Sequence, residues 1–102
     1  MNRINTLTKI LESEPNDSFS RYALGLEYVS LNDYDEAQKE FNFILRNDPQ
    51  YLPVYYQLGK VLESTGDSDK ALKIYQQGLY VASSQNDLHT KAELQDAIDS
   101  LY

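Results

Sequence analysis

A self-match at a spacing of 34 residues constrains this chain more than any local propensity does. The stretch Tyr22-Ala-Leu-Gly-Leu-Glu-Tyr28 is followed by Ala37-x-x-x-Phe41 and closed by Pro49. Moved forward 34 residues, Leu24 and Gly25 become Leu58 and Gly59, Tyr28 becomes Leu62, Ala37 becomes Ala71 and Phe41 becomes Tyr75. Moved back by the same step, Leu7, Ile10, Leu11 and Pro15 stand where Phe41, Ile44, Leu45 and Pro49 stand later. Such a period marks an array of helix-turn-helix units, none of which can bury its apolar face alone.

The 102 residues suffice for one small domain with a continuous core. A hydrophobic fraction of 41% and an aromatic content of 12%, nine Tyr and three Phe, are those of a folded chain. The formal net charge of −7 is spread evenly: nine acidic and five basic residues in 1–51, seven and four in 52–102. That field repels phosphate backbones and argues against nucleic acid as a partner. The absence of cysteine removes disulfides, thiolate catalysis and cysteine metal sites. No signal-like run opens the chain, and no stretch approaches the roughly 20 apolar residues of a spanning helix. The expectation is a soluble, cytoplasmic protein with no membrane partner.

Apolar spacing and end signals predict helices throughout. The first spans 3–13, with Ile4, Leu7, Ile10 and Leu11 on one face, and Pro15 stops it. Asn16 or Asp17 caps a helix over about 18–31 that carries Tyr22, Leu24, Leu26, Tyr28, Val29 and Leu31. Asn32 is its left-handed terminator, and Asp33 with Glu36 forms an Asp-type capping box for a helix over about 34–47. That helix turns Ala37, Phe41, Ile44 and Leu45 inward, and Asp48-Pro49 ends it. Pro53 opens a helix to about 65, where its missing N–H costs little, and Gly66 closes it. Asp67 caps a helix over about 68–83 with Ala71, Leu72, Tyr75 and Leu79 inward; Ser83 replaces the expected proline, so a further turn is open to it. Asn86-Asp87 caps a last helix over about 88–101.

The residues Leu24-Gly25-x-x-Tyr28…Ala37-x-x-x-Phe41…Pro49, with Tyr55-x-x-Leu58-Gly59-x-x-Leu62…Ala71-x-x-x-Tyr75 as a second copy, resemble the tetratricopeptide repeat. The resemblance implies an all-α fold, a right-handed α-solenoid of about six helices forming a single domain over 1–102. Its parts are a half-repeat helix at 3–15, repeats at 18–51 and 52–85, and a C-terminal capping helix at 86–102. Small residues at Gly25, Gly59, Ala37 and Ala71 let antiparallel helices approach, while Phe41 and Tyr75 fill space between neighbouring pairs. Arg21 stands in place of the usual large aromatic, Asn32 of a glycine and Gly78 of an alanine. After Ser83 the resemblance fades, and Leu94, Ala97, Ile98 and Leu101 form a stripe two residues later than the repeat register. A terminal helix with such a stripe seals the exposed face of the last repeat, rotated or shifted against a standard third unit.

Catalysis has little to work with. His89 is the single histidine, and its position suits an exposed first-turn residue better than a metal ligand or a relay member. The clusters Asp33/Asp35/Glu36 and Asp67/Asp69 lack calcium-loop spacing and fall at helix starts, where acids complement the dipole. The four glycines are dispersed and form no phosphate cradle. The expectation is a non-catalytic chain with no metal and no cofactor.

The resemblance further implies that the first helix of each pair lines a groove receiving a peptide or helix of another protein. Carried over, that face comprises Phe19, Tyr22, Leu26 and Val29 from the first repeat, and Pro53, Tyr56, Gln57, Lys60 and Glu63 from the second. Tyr22 and Tyr56 occupy equivalent positions, and tyrosine offers rigid amphipathic contact area. The variant of the family that clamps a C-terminal carboxylate with Lys, Asn and Arg is not matched. Its basic and amide positions fall on Tyr22, Leu26, Gln57, Asp87 and Lys91, of which only Lys91 keeps the charge. An alternative is a structural unit that self-associates, as a homodimer, through terminal helices or through Phe43, Tyr80 and Tyr102 on the outer surface.

Overall fold

The computed structural model describes residues 2–102 and contains six α-helices: α1 (Arg3–Ser13), α2 (Ser18–Ser30), α3 (Tyr34–Asn47), α4 (Pro53–Ser64), α5 (Ser68–Ser84) and α6 (Leu88–Leu101). Among the described residues there is no strand. Met1, where the expected single domain begins, lies outside them. Two compact units, Met1–Tyr51 and Leu52–Tyr102, divide the chain at the boundary between the two sequence repeats.

Side-chain caps set the start of every helix but α4, whose Leu52 N-cap makes no side-chain bond and whose first turn carries Pro53. Asp17, Asp33, Asp67 and Asp87 are the N-caps of α2, α3, α5 and α6, each accepting from the backbone N–H three residues on. The bonds from Thr90 to Asp87 hold that carboxyl below its ordinary pKa. Asn32, Gly66 and Asn86 take positive φ of 57°, 83° and 56°, the left-handed step that lets a helix turn back on itself. The N–H of the following aspartate then donates five residues back: Asp33 to Tyr28, Asp67 to Leu62 and Asp87 to Ala82, each at 2.9 Å. The residue pair is thus a stop followed at once by a start.

That double use corrects the expected capping box at Asp33. Its carboxylate does accept from the Glu36 N–H at 3.3 Å, but its own N–H is spent on the Tyr28 carbonyl. Glu36 therefore has no return bond to make and pairs with Lys39 at 3.0 Å. Helix ends differ from expectation by one residue: α2 stops at Ser30, α4 at Ser64, and α5 runs to Ser84 rather than gaining a full turn. Leu31 falls at the C-cap of α2 and is 65% exposed.

In the first unit α1 packs on α2, and α2 on α3. Leu7, Leu11 and Leu24 form a small core with Ile4, Ile10, Ala23 and Tyr28 around it. On the other side of α2 the fully buried Phe41 lies against Gly25, where an added Cβ would stand 2.3 Å from the ring. In the second unit α4 packs on α5, α5 on α6, and α4 lightly on α6. Tyr75, also fully buried, sits over Gly59 in the same way, at 2.1 Å from an added Cβ. Phe41 and Tyr75 thus fill space inside their own helix pairs, against the glycine that the repeat pattern couples to each. Gly78 has its own reason to be small: a Cβ there would be 2.7 Å from Tyr55 of α4 and 2.9 Å from Leu94 of α6. Leu94 and Ala97 are the buried members of the α6 stripe, with Ile98 and Leu101 half-buried.

Candidate functional site

The carried-over face of α2 begins with Phe19, which is 72% exposed, one turn before Tyr22. Tyr22, Leu26 and Val29 are half-buried. Tyr22 is anchored by its ring, whose centroid lies 5.9 Å from that of Phe41 and 5.6 Å from that of Tyr51. Tyr51 follows α3 and was not signalled by the repeat pattern; its nearness to Tyr22 makes it a member of this face. Beside it Asp48 accepts from the Ser18 hydroxyl at 2.6 Å, and Asp17 accepts from the Ser20 hydroxyl at 2.7 Å. Burial first, and then the Asp17 and Asp48 carboxylates, push the Tyr51 phenol above its ordinary pKa.

On α4 the equivalent residues are Pro53, exposed in the first turn, and half-buried Tyr56, Gln57, Lys60 and Glu63. The Tyr56 ring leans on Tyr75 at 6.4 Å between centroids, as Tyr22 leans on Phe41. Lys60 extends over Tyr56, its Nζ 5.4 Å from the ring centre, and lies 3.6 Å from a carboxylate oxygen of Glu63. That same oxygen accepts a hydrogen bond from the Tyr75 hydroxyl. Burial, together with this bond to an anion, raises the Tyr75 pKa far above its ordinary value. Glu63 is therefore engaged inside its own unit while staying partly exposed, as Tyr56 and Gln57 do.

The face opposite shows what Arg21 does in place of an aromatic. Its guanidinium bonds Glu40 at 2.7 Å and the Pro15 carbonyl at 2.7 Å, and lies 3.7 Å over the Phe43 ring. Both side chains of the ion pair are 15% exposed. Phe43 is consequently half-buried under Arg21 and is not the bare outer aromatic that its position suggested. Tyr80 and Tyr102 are each 78% exposed, and Leu88 is 74% exposed.

Chemistry by side-chain clusters finds little footing. His89 is exposed on α6, its Nε2 3.5 Å from Glu93. Among the described residues no three His, Cys, Asp or Glu side chains are grouped to hold a metal ion. No helix among them is long and apolar enough to cross a membrane.

Two models described as tetratricopeptide repeat match the chain, one over residues 28–94 and the other over 6–39. A Pseudomonas aeruginosa protein named as TPR repeat-containing is 28% identical over 91 residues, covering 89% of this chain and 87% of its own. The solution structure of a tetratricopeptide repeat domain protein from Salinibacter ruber is 36% identical, with a TM-score of 0.81 over 85% of this chain and 88% of the other. The TPR2B domain of yeast Sti1, in its pHsp70 complex, superposes with a TM-score of 0.90 over 96% of this chain and 78% of its own, at 14% identity. That last likeness is one of fold.

Proposed function

The chain belongs to the tetratricopeptide repeat family, and from that premise we propose that it is a non-catalytic protein-interaction module. It receives a peptide or helical segment of another protein on the first-helix faces of its repeats. The family's fold is commonly an interaction scaffold, and the yeast neighbour is a complex with another protein. One observation carries the reading to these residues. The same arrangement occurs twice, a half-exposed tyrosine, Tyr22 or Tyr56, seated on a buried ring, Phe41 or Tyr75. A ring fixed from beneath has already lost its rotamer freedom, so a partner that covers it incurs less ordering entropy. Phe19, Leu26 and Val29 extend the apolar area on α2, while Gln57 and Lys60 make the α4 face more polar than its Pro53 and Tyr56 alone would.

Nothing in the residue inventory favours catalysis: one exposed histidine, no cysteine and, among the described residues, no three His, Asp or Glu side chains grouped to hold a metal ion. The exposure of Tyr80, Leu88 and Tyr102 favours a second reading, self-association through the α5 and α6 surface. Affinity capture from cell extract with the wild-type chain and with Tyr22→Ala/Tyr56→Ala separates the two. A protein captured by the first and lost with the second supports the first-helix faces. A protein retained by that variant but lost with Tyr80→Ala/Tyr102→Ala moves the site to the outer surface.

A further inference from the structure

We propose that the corner formed by Tyr22 and Tyr51, rimmed by Asp17 and Asp48, receives a lysine or arginine side chain of the partner segment. The inference rests on the protein-interaction reading and adds to it the chemistry of one anchor. All four residues lie in the first unit. Two tilted tyrosine rings 5.6 Å apart present π-electron density to one corner, and a cation within about 6 Å of such a ring is attracted by its quadrupole.

The two carboxylates at the rim are oriented but not neutralised. Asp17 accepts from the Ser20 N–H and hydroxyl, and Asp48 from the Ser18 hydroxyl, all uncharged donors. The unit's cation–carboxylate pairs among the described residues lie elsewhere: Arg3 with Glu27, Arg21 with Glu40 and Lys39 with Glu36. Arg21, although on α2, is held by Glu40, Pro15 and Phe43. Both carboxylates stand close enough to Tyr51 that, after burial, they help to raise its phenol above the ordinary pKa. An aromatic corner whose carboxylates are paired with no cationic side chain among the described residues complements a cation and repels an acidic terminus. Phe19, 72% exposed on the same helix, offers the aliphatic stem of a lysine or arginine an apolar rest.

The test uses the full chain as bait for a random-peptide phage library, followed by titration of the enriched peptides. The variant is Asp17→Asn/Asp48→Asn, because asparagine caps a helix as well as aspartate and its amide oxygen still accepts from Ser18. A thermal melt verifies that this variant folds as the wild type does. The expected result is a lysine or arginine at one fixed position of the enriched peptides. The two substitutions should weaken those peptides about fivefold, in line with two rim charges. A peptide in which norleucine replaces the basic residue should bind both proteins equally. Enriched peptides without a fixed basic residue, or equal affinity for both proteins, overturn the cation corner. The interaction reading survives that outcome if Tyr22→Ala/Tyr56→Ala abolishes their binding. If no peptide is enriched above a bare support, both readings fall.

Discussion

The Tyr75 hydroxyl donates to the Glu63 carboxylate across the α4–α5 pair, and one repeat earlier the same two positions hold Phe41 and Val29. The two units solve one packing problem in two chemistries. Each places a buried ring over a helix glycine, but the second ring carries a hydroxyl that requires a partner, and Glu63 supplies it. Replacing both partners by apolar residues is what the first repeat already does, which makes the pair a natural double-mutant comparison.

Tyr75→Phe should cost about 1 kcal/mol near neutral pH, the net worth of one hydrogen bond to a partly exposed carboxylate. The sign of its pH dependence follows from the raised phenol. The folded-state pKa stands above the ordinary 10.0, so the folded state holds this proton more tightly than the unfolded state. The stabilisation is present in full below that ordinary value and is lost as pH rises past it. Urea titrations at about pH 8 and about pH 11 should show wild type losing more stability than Tyr75→Phe does. Equal losses would mean that Tyr75 does not titrate differently in the folded state.

Gly59→Ala should destabilise by about 1–3 kcal/mol, although alanine is otherwise the better helix residue by about 1 kcal/mol. The new methyl would stand 2.1 Å from a carbon of the Tyr75 ring, which is fully buried and cannot swing away. Gly25→Ala against Phe41 should behave alike, its nearest ring carbon being 2.3 Å away. Chemical denaturation of the two variants checks this; a gain in stability at either site would mean that the ring can shift.

Arg21→Lys should not be a conservative change. A lysine keeps the charge beside Glu40 but cannot at once reach the Pro15 carbonyl and lie flat on Phe43. A loss of about 1–2 kcal/mol is expected from the interactions that the guanidinium fork alone can make. If Arg21→Lys melts with the wild type while Arg21→Ala does not, charge alone accounts for the residue.

The sequence legibly encoded the local plan of this chain, because its strongest signals are steric and act over a few residues. The 34-residue period, the aspartate caps and the left-handed Asn32 and Gly66 each depend on one or two residue types, and the helices begin and end within a residue of those signals. What stayed hidden depends on contacts between residues far apart in sequence. Nothing near Tyr51 marks it as the neighbour of Tyr22, since that pairing exists only once α2 and α3 are folded together. Glu63 read as a free polar group for a partner because its acceptance from Tyr75 spans two helices. Phe43 read as bare surface because Arg21, unusual for its position, folds over it. The candidate site was thus legible as a helix face and opaque as a set of available groups.

The purified chain should be monomeric at micromolar concentration, even though its second unit exposes large apolar side chains. Tyr80 and Tyr102 are 78% exposed and Leu88 is 74% exposed. A stable dimer needs about 800 Å² buried on each partner, and an aromatic side chain contributes roughly 150–250 Å². The two tyrosines offer roughly 300–500 Å² between them and Leu88 adds less than an aromatic does, so the three fall short of that area even when fully covered, and the net charge of −7 opposes bringing two copies together. Light scattering coupled to size exclusion should give one chain mass at low salt, and the same mass for Tyr80→Ala/Tyr102→Ala. Raising the salt screens the repulsion and offers a stricter check. A twofold mass that appears at high salt and vanishes with the two substitutions would identify the outer face as a self-association surface and displace the monomeric interaction module.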